Sequence, residues 1–328
     1  MRSNLNNITR LKRLNDEYIK IFDREGIILT DETKSRMHDC GTYLSYWCRE
    51  TSQGYERIKL HKANFCRERF CPMCASRKSA KQSYILSQVC DTLKSKGYYF
   101  SFITLTIKSL PLYHSKQLID NLFKAFDLFR HRKNFSQRYD GFFRTLEFTF
   151  HRDSTGLIWV HPHIHMIACY KHAYRRNGKG FYPQNELVND WRSCLKLPVD
   201  APCICDIRDI KIDKRHKSLQ EVCKYCFDFT DVFDIFKSSS INEINDIITL
   251  VRSRNTYHFG GIFNKIKKDI IKSDNDDIDT DVPDDAVLIQ YEYDESIQSY
   301  VISTKNVYLS NSIYDSRPFC VTDIRLNC

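Results

Sequence analysis

A nine-residue segment of the chain places three histidines at every second position among residues that favour β-strands. The segment, residues 159–167, reads WVHPHIHMI. Because successive side chains of a strand point to opposite faces, His161, His163 and His165 share one face while apolar side chains occupy the other. Imidazole is the commonest protein ligand for divalent metals, so the pattern predicts a strand between a core and a metal site. The alternative interpretation is a strand whose histidines are solvated or hydrogen-bonded.

The strand-like segment just upstream supplies a carboxylate. Residues 144–150 read RTLEFTF, in which Glu147 shares one strand face with the two threonines. If this segment pairs with the histidine strand, Glu147 lies on the same face as His163 and His165. Mg²⁺ and Mn²⁺ prefer oxygen donors, so two imidazoles beside a carboxylate form a candidate site for such an ion. A glutamate that contacts only solvent is the other interpretation.

Composition predicts a folded protein outside the membrane. The 328 residues are 42% hydrophobic and 13% aromatic, enough for one large domain or two smaller ones. No apolar run reaches the length of a membrane span, and the first residues lack the apolar core of a signal peptide. We therefore expect a cytoplasmic protein with no membrane partner.

The net charge of +9 is unevenly distributed. Residues 269–328 contain 13 acidic and 4 basic residues, a net charge of −9, which leaves +18 on residues 1–268. A body this basic favours a polyanionic partner, most simply nucleic acid. A solvated cationic surface without a ligand is the alternative.

The cysteines indicate a zinc site. In a long cytosolic chain, 14 cysteines favour metal binding over disulfides. Cys66, Cys71 and Cys74 lie close together, and the sequence Cys-Pro-Met-Cys at residues 71–74 has the spacing of a zinc knuckle. Reduced cysteines in an apolar core are the alternative. Spacing leaves three candidates for the fourth ligand: Cys40, Cys48 and His61.

The order of strand-like and helix-like segments predicts the fold class. Strands are expected at 98–108, 141–150, 157–170 and 204–212, and helices at 114–133, 183–197 and 218–229. This β-α-β-β-α-β order fits an α+β, ferredoxin-like (split βαβ) domain, whose central antiparallel sheet has helices on one face and a site on the other. We expect three regions: a helical and Cys-rich zinc-binding region at 1–96, a catalytic domain at 97–236, and a helical and acidic region at 237–328 that ends in a hairpin formed by residues 286–293 and 299–309.

The last of these helices carries a tyrosine and a carboxylate on one face. Glu221 and Tyr225 are four residues apart, which places them on the same side of a helix. A tyrosine can act as a covalent nucleophile, and a nearby carboxylate can accept a proton. Each residue taken alone is more commonly part of a core or a surface.

Together, these segments resemble a known family. FITLT at 102–106, HPHIH at 161–165 and EVCKY at 221–225 look like the three ordered motifs of plasmid rolling-circle replication initiators, the Rep branch of the HUH endonucleases. The family also carries an upstream Cys-rich segment similar to residues 63–74. The resemblance covers about residues 36–230, and it implies an HUH nicking-joining domain preceded by a zinc-binding module.

The resemblance implies a mechanism for the matched positions. His163, His165 and Glu147 would hold Mg²⁺ or Mn²⁺ against the scissile phosphate. Tyr225 would attack the origin strand, form a 5′-phosphotyrosine link and free a 3′-hydroxyl that primes replication. Glu221 matches the glutamate that activates water to end the cycle.

The resemblance also implies further ligands and partners. Cys40 becomes the preferred fourth zinc ligand, and Lys224, Thr104 and Thr106 become candidate DNA contacts. The partners would be plasmid origin DNA, as a single-stranded or cruciform nick site with adjacent duplex, and a host helicase and polymerase. In one departure, Asp228 stands where the family often has a lysine. In another, His161 is an additional histidine on the same face.

Three alternatives remain open from the sequence. A transposase of the same superfamily shares the nicking chemistry. A histidine-triad nucleotide hydrolase or transferase fits the histidine segment but leaves the cysteines, the tyrosine and the basic charge without a role. A non-enzymatic, zinc-dependent DNA-binding regulator explains the charge and the cysteines but not the histidine strand with Glu147.

Overall fold

The chain folds into two compact units. The computed structural model describes residues 5–52, 54–171, 182–211, 219, 222–224, 226–252, 255–276 and 286–307. One unit combines Met1–Ala75 with Asp277–Cys328, and the other is Ser76–Asp276. No helix in these described ranges is long and apolar enough to cross a membrane.

Both units contain helices and strands. The helices are α1 (Leu5–Phe22), α2 (Asp31–Asp39), α3 (Pro72–Ser95), α4 (Ser115–His131), α5 (Lys133–Ser136), α6 (Gln184–Cys194), α7 (Phe229–Lys237), α8 (Ile241–Arg252) and α9 (Ile262–Asp276). The strands are β1 (Tyr43–Thr51), β2 (Gly54–Ala63), β3 (Tyr98–Thr106), β4 (Leu110–Pro111), β5 (Gly141–Arg152), β6 (Ile158–Lys171), β7 (Cys205–Ile210), β8 (Tyr257–Gly261), β9 (Val287–Asp294) and β10 (Ser299–Val307).

The sheet of the first unit joins strands from the N-terminal and C-terminal parts of the chain. Its strand order is β10-β9-β1-β2, and all neighbours are antiparallel. The predicted terminal hairpin is confirmed as β9 and β10, but β9 pairs with β1, so that Tyr291 lies opposite Leu44. Tyr300 Oη also donates a hydrogen bond to the Gly41 carbonyl at 2.6 Å.

These pairings differ from the three contiguous regions expected at 1–96, 97–236 and 237–328. Residues 286–307 are part of the N-terminal unit, and the second unit continues beyond residue 236 to Asp276. The reason is that strand pairing between distant segments depends on packing, whereas hydrophobic periodicity reports only local structure.

The second unit is built on an antiparallel sheet with helices. Its strand order is β7-β3-β6-β5-β8, and β4 adds to β6. Every neighbouring pair is antiparallel, which confirms the mixed α+β class and the central antiparallel sheet. The four predicted strands correspond to β3, β5, β6 and β7. β8 was not predicted; it lengthens the sheet at the β5 edge.

The two faces of this sheet are covered to different extents. On one face, apolar side chains of β5 and β6 are buried, and Phe126 of α4 packs edge-on against Phe142 of β5 with ring centroids 5.5 Å apart. On the other face, Phe143 and Ile167 are covered by α3, by α9 and by Leu219, Val222 and Cys223. The sequence predicted helices on one face only, whereas this end of the second face is also covered, because its apolar side chains need a packing partner. The histidine end of the same face stays partly exposed.

Only some of the described residues within the predicted helix at 218–229 are helical. The amide of Cys223 donates to the carbonyl of Leu219 at 3.0 Å, as in a helical turn, but Lys224 and Cys226 lie in bends. α7 then starts at Phe229. Asp228 is its N-cap and accepts hydrogen bonds from the amides of Thr230 and Asp231. The residue that departs from the family pattern thus has a structural role.

Candidate functional site

Four cysteines of the first unit converge on one point. The sulfurs of Cys40, Cys66, Cys71 and Cys74 all lie within 4.8 Å of one another, and the four residues form no disulfide. Cys40 Sγ is 3.5 Å from Cys71 Sγ and 3.6 Å from Cys74 Sγ. Zinc–sulfur bonds of about 2.3 Å in a tetrahedron place sulfurs about 3.8 Å apart. The cluster is therefore compatible with structural zinc.

The thiols of this cluster differ in how readily they lose a proton: the hydrogen bond with Cys66 raises the pKa of Cys40 and burial raises the pKa of Cys71, whereas the pKa of Cys74 is lowered. The amide of Arg67 donates to Cys74 Sγ at 3.2 Å, and the amide of Cys66 donates to Cys40 Sγ at 3.4 Å. Hydrogen bonds from the Cys40 thiol, the neighbouring thiols and the Arg67 amide hold the pKa of Cys74 far below its ordinary value. Zinc deprotonates the thiols that coordinate it, so four converging sulfurs, one of them already favoured as a thiolate, fit the ion.

The structure separates the three candidates for the fourth ligand. Cys40 follows α2 directly and completes the cluster. Cys48 is buried in β1, where its sulfur is 3.6 Å from the Tyr46 carbonyl. His61 is exposed on β2 and packs edge-on against Trp47, with ring centroids 5.6 Å apart. Cys48 and His61 are therefore not part of the cluster.

In the second unit, strand register places the predicted donors on one face. Glu147 of β5 lies directly opposite His163 of β6, so the two strands pair and Glu147 shares the face that was expected in that case. On the other side of β6, Thr106 lies opposite His163 and Thr104 lies opposite His165. Directly paired residues share a face, so these side chains form one polar surface.

Both ring nitrogens of His165 have partners. Its Nε2 is 2.7 Å from Glu147 Oε2, and its Nδ1 is 3.2 Å from Thr104 Oγ1. The hydrogen bond to His165 lowers the pKa of Glu147, and the charges of the nearby histidines and of Lys224 lower it further against the opposing effect of burial. The carboxylate is therefore ionised at neutral pH.

His163 stays neutral at the same pH. Burial lowers its pKa to about 4, with a further contribution from His161. The rings of these two histidines are in contact, with centroids 4.2 Å apart, while His165 lies nearly parallel to His163 at 6.0 Å. A neutral imidazole is the form that binds a metal. His161 therefore lies beside the candidate ligands as a packing partner of His163.

The side chains of Glu147, His163 and His165 suit a divalent cation, but their donor atoms do not converge on one point. Within the described ranges, the four cysteines are the one group of three or more such donors that meet within 4.8 Å. Two imidazoles and an ionised carboxylate are donors that divalent ions such as Mn²⁺ accept. To bind an ion together, Glu147 and His165 must give up their direct hydrogen bond.

Glu221 and Tyr225, the predicted catalytic residues, lie outside the described residues. The residues on either side of Tyr225 are described. The Phe148 amide of β5 donates to the Cys226 carbonyl at 2.6 Å, and Tyr257 Oη donates to the Lys224 carbonyl at 3.2 Å. Phe148 is the residue after Glu147, so this part of the chain runs beside the strand that carries the carboxylate.

The hydroxyls predicted to contact DNA have partners within the protein. Thr104 contacts His165, and Thr106 Oγ1 donates to the Ile204 carbonyl at 2.6 Å. Their assignment as DNA contacts stays a prediction. Sequence reasoning did not identify Thr104 as the partner of the His165 ring. The available signal was the alternation of side chains along β3. Thr104 and Thr106 share one strand face, and the pairing of β3 with β6 makes it the histidine face.

Comparisons with known proteins identify the family. Residues 57–306 match the Rep_1 family, described as replication protein. A "Protein rep" of Bacillus amyloliquefaciens is 28% identical over 87% of this chain and 85% of its own length. A "Protein rep" of Streptococcus pneumoniae serotype 2 is 30% identical over 78% of this chain and 76% of its own. No solved structure matches the chain significantly. The chain belongs to the Rep_1 replication protein family, in agreement with the resemblance of its motifs to plasmid Rep initiators.

Proposed function

We propose that the protein is a metal-dependent, site-specific DNA nicking and joining enzyme that starts plasmid rolling-circle replication. The observation that carries this proposal is the shared sheet face on which Glu147 lies opposite His163 and in contact with His165. The fold gives further support. The chain order β-α-β-β-α-β with sheet order β7-β3-β6-β5 corresponds to a ferredoxin-like split βαβ arrangement, the fold expected of an HUH endonuclease domain.

The proposed chemistry is a transesterification at phosphorus. Tyr225 Oη bonds to the phosphorus of the origin strand and gives its proton to solvent, while the bond from phosphorus to the 3′ oxygen breaks and that oxygen takes up a proton from solvent. The products are a 5′-phosphotyrosine and a 3′-hydroxyl that a host polymerase extends. Glu221 accepts a proton from the water that later releases the link.

The remaining residues position the phosphate. Glu147, His163 and His165 would hold Mg²⁺ or Mn²⁺, which would polarise the scissile phosphate. Lys224 supplies a positive charge close enough to lower the pKa of Glu147, and it is exposed. In this proposal it pairs with a phosphate oxygen.

The other assignments follow from charge and the cysteine cluster. The charge of +18 on residues 1–268 suits origin DNA as the partner, with a host helicase acting downstream. Zn²⁺ at the four cysteines would have a structural role, since no ligand position is left for substrate. A transposase would share this chemistry, but the relatives described above carry replication names.

The deciding experiment detects the covalent intermediate. The protein is incubated with the origin strand of its own replicon and Mn²⁺, and the peptide containing Tyr225 is examined by mass spectrometry. We expect a nucleotide on Tyr225, and its loss in Tyr225→Phe. The matched control is Tyr84→Phe, an exposed tyrosine of α3, which should form the adduct normally.

Three results would contradict the proposal. An active preparation without a nucleotide on Tyr225 would exclude the assigned nucleophile. Specific binding of the origin without cleavage, across several divalent ions, would favour the DNA-binding regulator. A nucleotidyl group on His163, formed from a nucleotide without metal, would favour the histidine-triad reaction.

A further inference from the structure

The histidine face of β6 continues into an aromatic pair. Trp159 precedes His161 by two residues, so it lies on the same strand face as the histidines. It lies directly opposite His151 of β5. The two rings are nearly parallel, at 11°, with centroids 6.4 Å apart. His151 is exposed and Trp159 is partly exposed. Ile158 and Val160, on either side of Trp159 in the chain, are buried on the opposite face. The open face therefore carries aromatic rings beyond the candidate metal ligands.

A hydrogen bond holds the orientation of the Trp159 ring. Its Nε1 donates to Asp153 Oδ2 at 2.7 Å. The other carboxylate oxygen of Asp153 accepts hydrogen bonds from the Thr155 amide at 2.9 Å and the Leu157 amide at 3.0 Å, within the turn between β5 and β6. The ring is thus held by the turn before any ligand binds. Such fixed side chains form precise binding sites, because little conformational freedom is lost on binding.

The distance from the candidate metal ligands suits a single DNA strand. At about 3.3 Å per residue, Trp159 lies about 13 Å along β6 from His163. A few nucleotides of an extended strand cover that distance. Proteins that bind single strands combine a basic surface with aromatic side chains on which bases stack, and this stacking tolerates any base. Here the +18 charge of residues 1–268 accompanies one exposed and one partly exposed ring.

We propose that Trp159 and His151 form a base-stacking platform for single-stranded DNA, a few nucleotides from the scissile phosphate. The location of that phosphate rests on the proposed nicking function. The platform itself rests on the parallel rings, their exposure and the Asp153 hydrogen bond. If the pair served only to stabilise the hairpin, as cross-strand aromatic pairs do, its replacement would lower stability without changing DNA affinity.

The test uses the fluorescence of Trp159 in the full chain. The chain has three tryptophans, and Trp191 is fully buried, so a Trp47→Phe background leaves Trp159 as the accessible fluorophore. Oligo(dT) is titrated without divalent cations. We expect quenching of Trp159 emission. Loss of the stack in Trp159→Leu should weaken oligo(dT) binding about 5-fold to 100-fold, measured by anisotropy of a labelled probe.

Controls separate stacking from folding. Trp159→Phe keeps an aromatic face and should retain most of the affinity, while His151→Ala should lose part of it. Tyr84→Ala removes an exposed aromatic ring of α3, distant in sequence from the pair, and should bind as the parent does. Thermal melting of each variant confirms that it is folded.

The outcomes distinguish this inference from the proposed function. Unquenched Trp159 together with normal affinity in a folded Trp159→Leu protein would exclude the platform, even if the Tyr225 adduct forms. Quenching and weakened binding without any Tyr225 adduct would support the platform, while the nicking proposal alone would fail.

Discussion

The four-cysteine cluster and the histidine face both present metal donors, but they differ in how far the donors are assembled. The cysteine sulfurs meet within 4.8 Å of one another, and three of the four side chains are fully or almost fully buried. On the histidine face, Glu147 and His165 bond directly to each other, and the side chains are half-buried. Closed, four-donor sites are structural, whereas catalytic sites keep a position open for substrate. The difference therefore suggests separate roles for the two regions.

The largest effect is expected at the cysteine cluster. Cys71 is fully buried among the other three sulfurs, so Cys71→Ser should abolish zinc binding and unfold the first unit. Structural zinc contributes on the order of 10 kcal/mol in small zinc modules, which exceeds typical domain stability. Metal content and circular dichroism provide the measurement. The control Cys48→Ser changes a cysteine outside the cluster and should keep full zinc content; an equal loss of zinc there would contradict the assignment.

On the histidine face, removal of a donor should leave the fold intact. Glu147→Gln keeps the size of the side chain but removes the charge, and we expect nicking of the origin strand to fall about 100-fold or more. Melting temperature should change little. The matched control is Asp234→Asn, an exposed carboxylate of α7 that pairs with Lys237. If E147Q lost stability rather than activity, the face would be structural like the cysteine cluster.

A smaller effect is expected from the residue that orients His165. Thr104→Val removes the hydroxyl beside His165 Nδ1, and Mn²⁺ affinity should fall about 10-fold, the lower end of the range for outer partners of metal ligands. Titration of the protein with Mn²⁺, followed by electron paramagnetic resonance, measures this change. Thr104→Ser restores the hydroxyl and should recover affinity. Equal affinity in both variants would remove Thr104 from the site.

The smallest effect concerns pH. The pKa of His163 is lowered to about 4 in the folded protein from 6.5. Its unfolded form therefore binds more protons, and stability falls as the pH decreases from about 6.5 to about 4. The lowered pKa of Glu147 acts in the same direction at more acid pH. After allowance for solvent screening we expect about 1 kcal/mol from His163, measured by urea unfolding between these pH values. His163→Gln should flatten this pH dependence; an unchanged slope would contradict the assigned pKa.

The sequence predicted correctly those strands in which apolar and polar side chains alternate regularly. The alternation in residues 144–150 and 159–167 placed Glu147 and His163 on one face, and the register between β5 and β6 confirms it. Long strands with one buried face specify their side-chain orientation, because a slip of one residue would expose every apolar side chain.

The elements that the sequence did not predict either lack this alternation or depend on pairing with segments far away in the chain. β8 is five residues long and ends in two glycines, which do not indicate a strand, yet its edge pairs with β5. The helix expected to reach Phe229 ends before Lys224, since Asp228 caps a new helix. The pairing of β9 with β1 links residues from opposite ends of the chain.

For this protein, the sequence by itself determined which donor atoms exist and which strand face each one occupies, because side-chain parity follows from the local backbone. It also carried the three motifs that agree with the Rep_1 family match. Only the tertiary structure decided that Cys40 rather than Cys48 joins the cluster, and that the histidine face is open at one end alone. Those outcomes depend on the packing of segments far apart in the chain, which no local pattern contains.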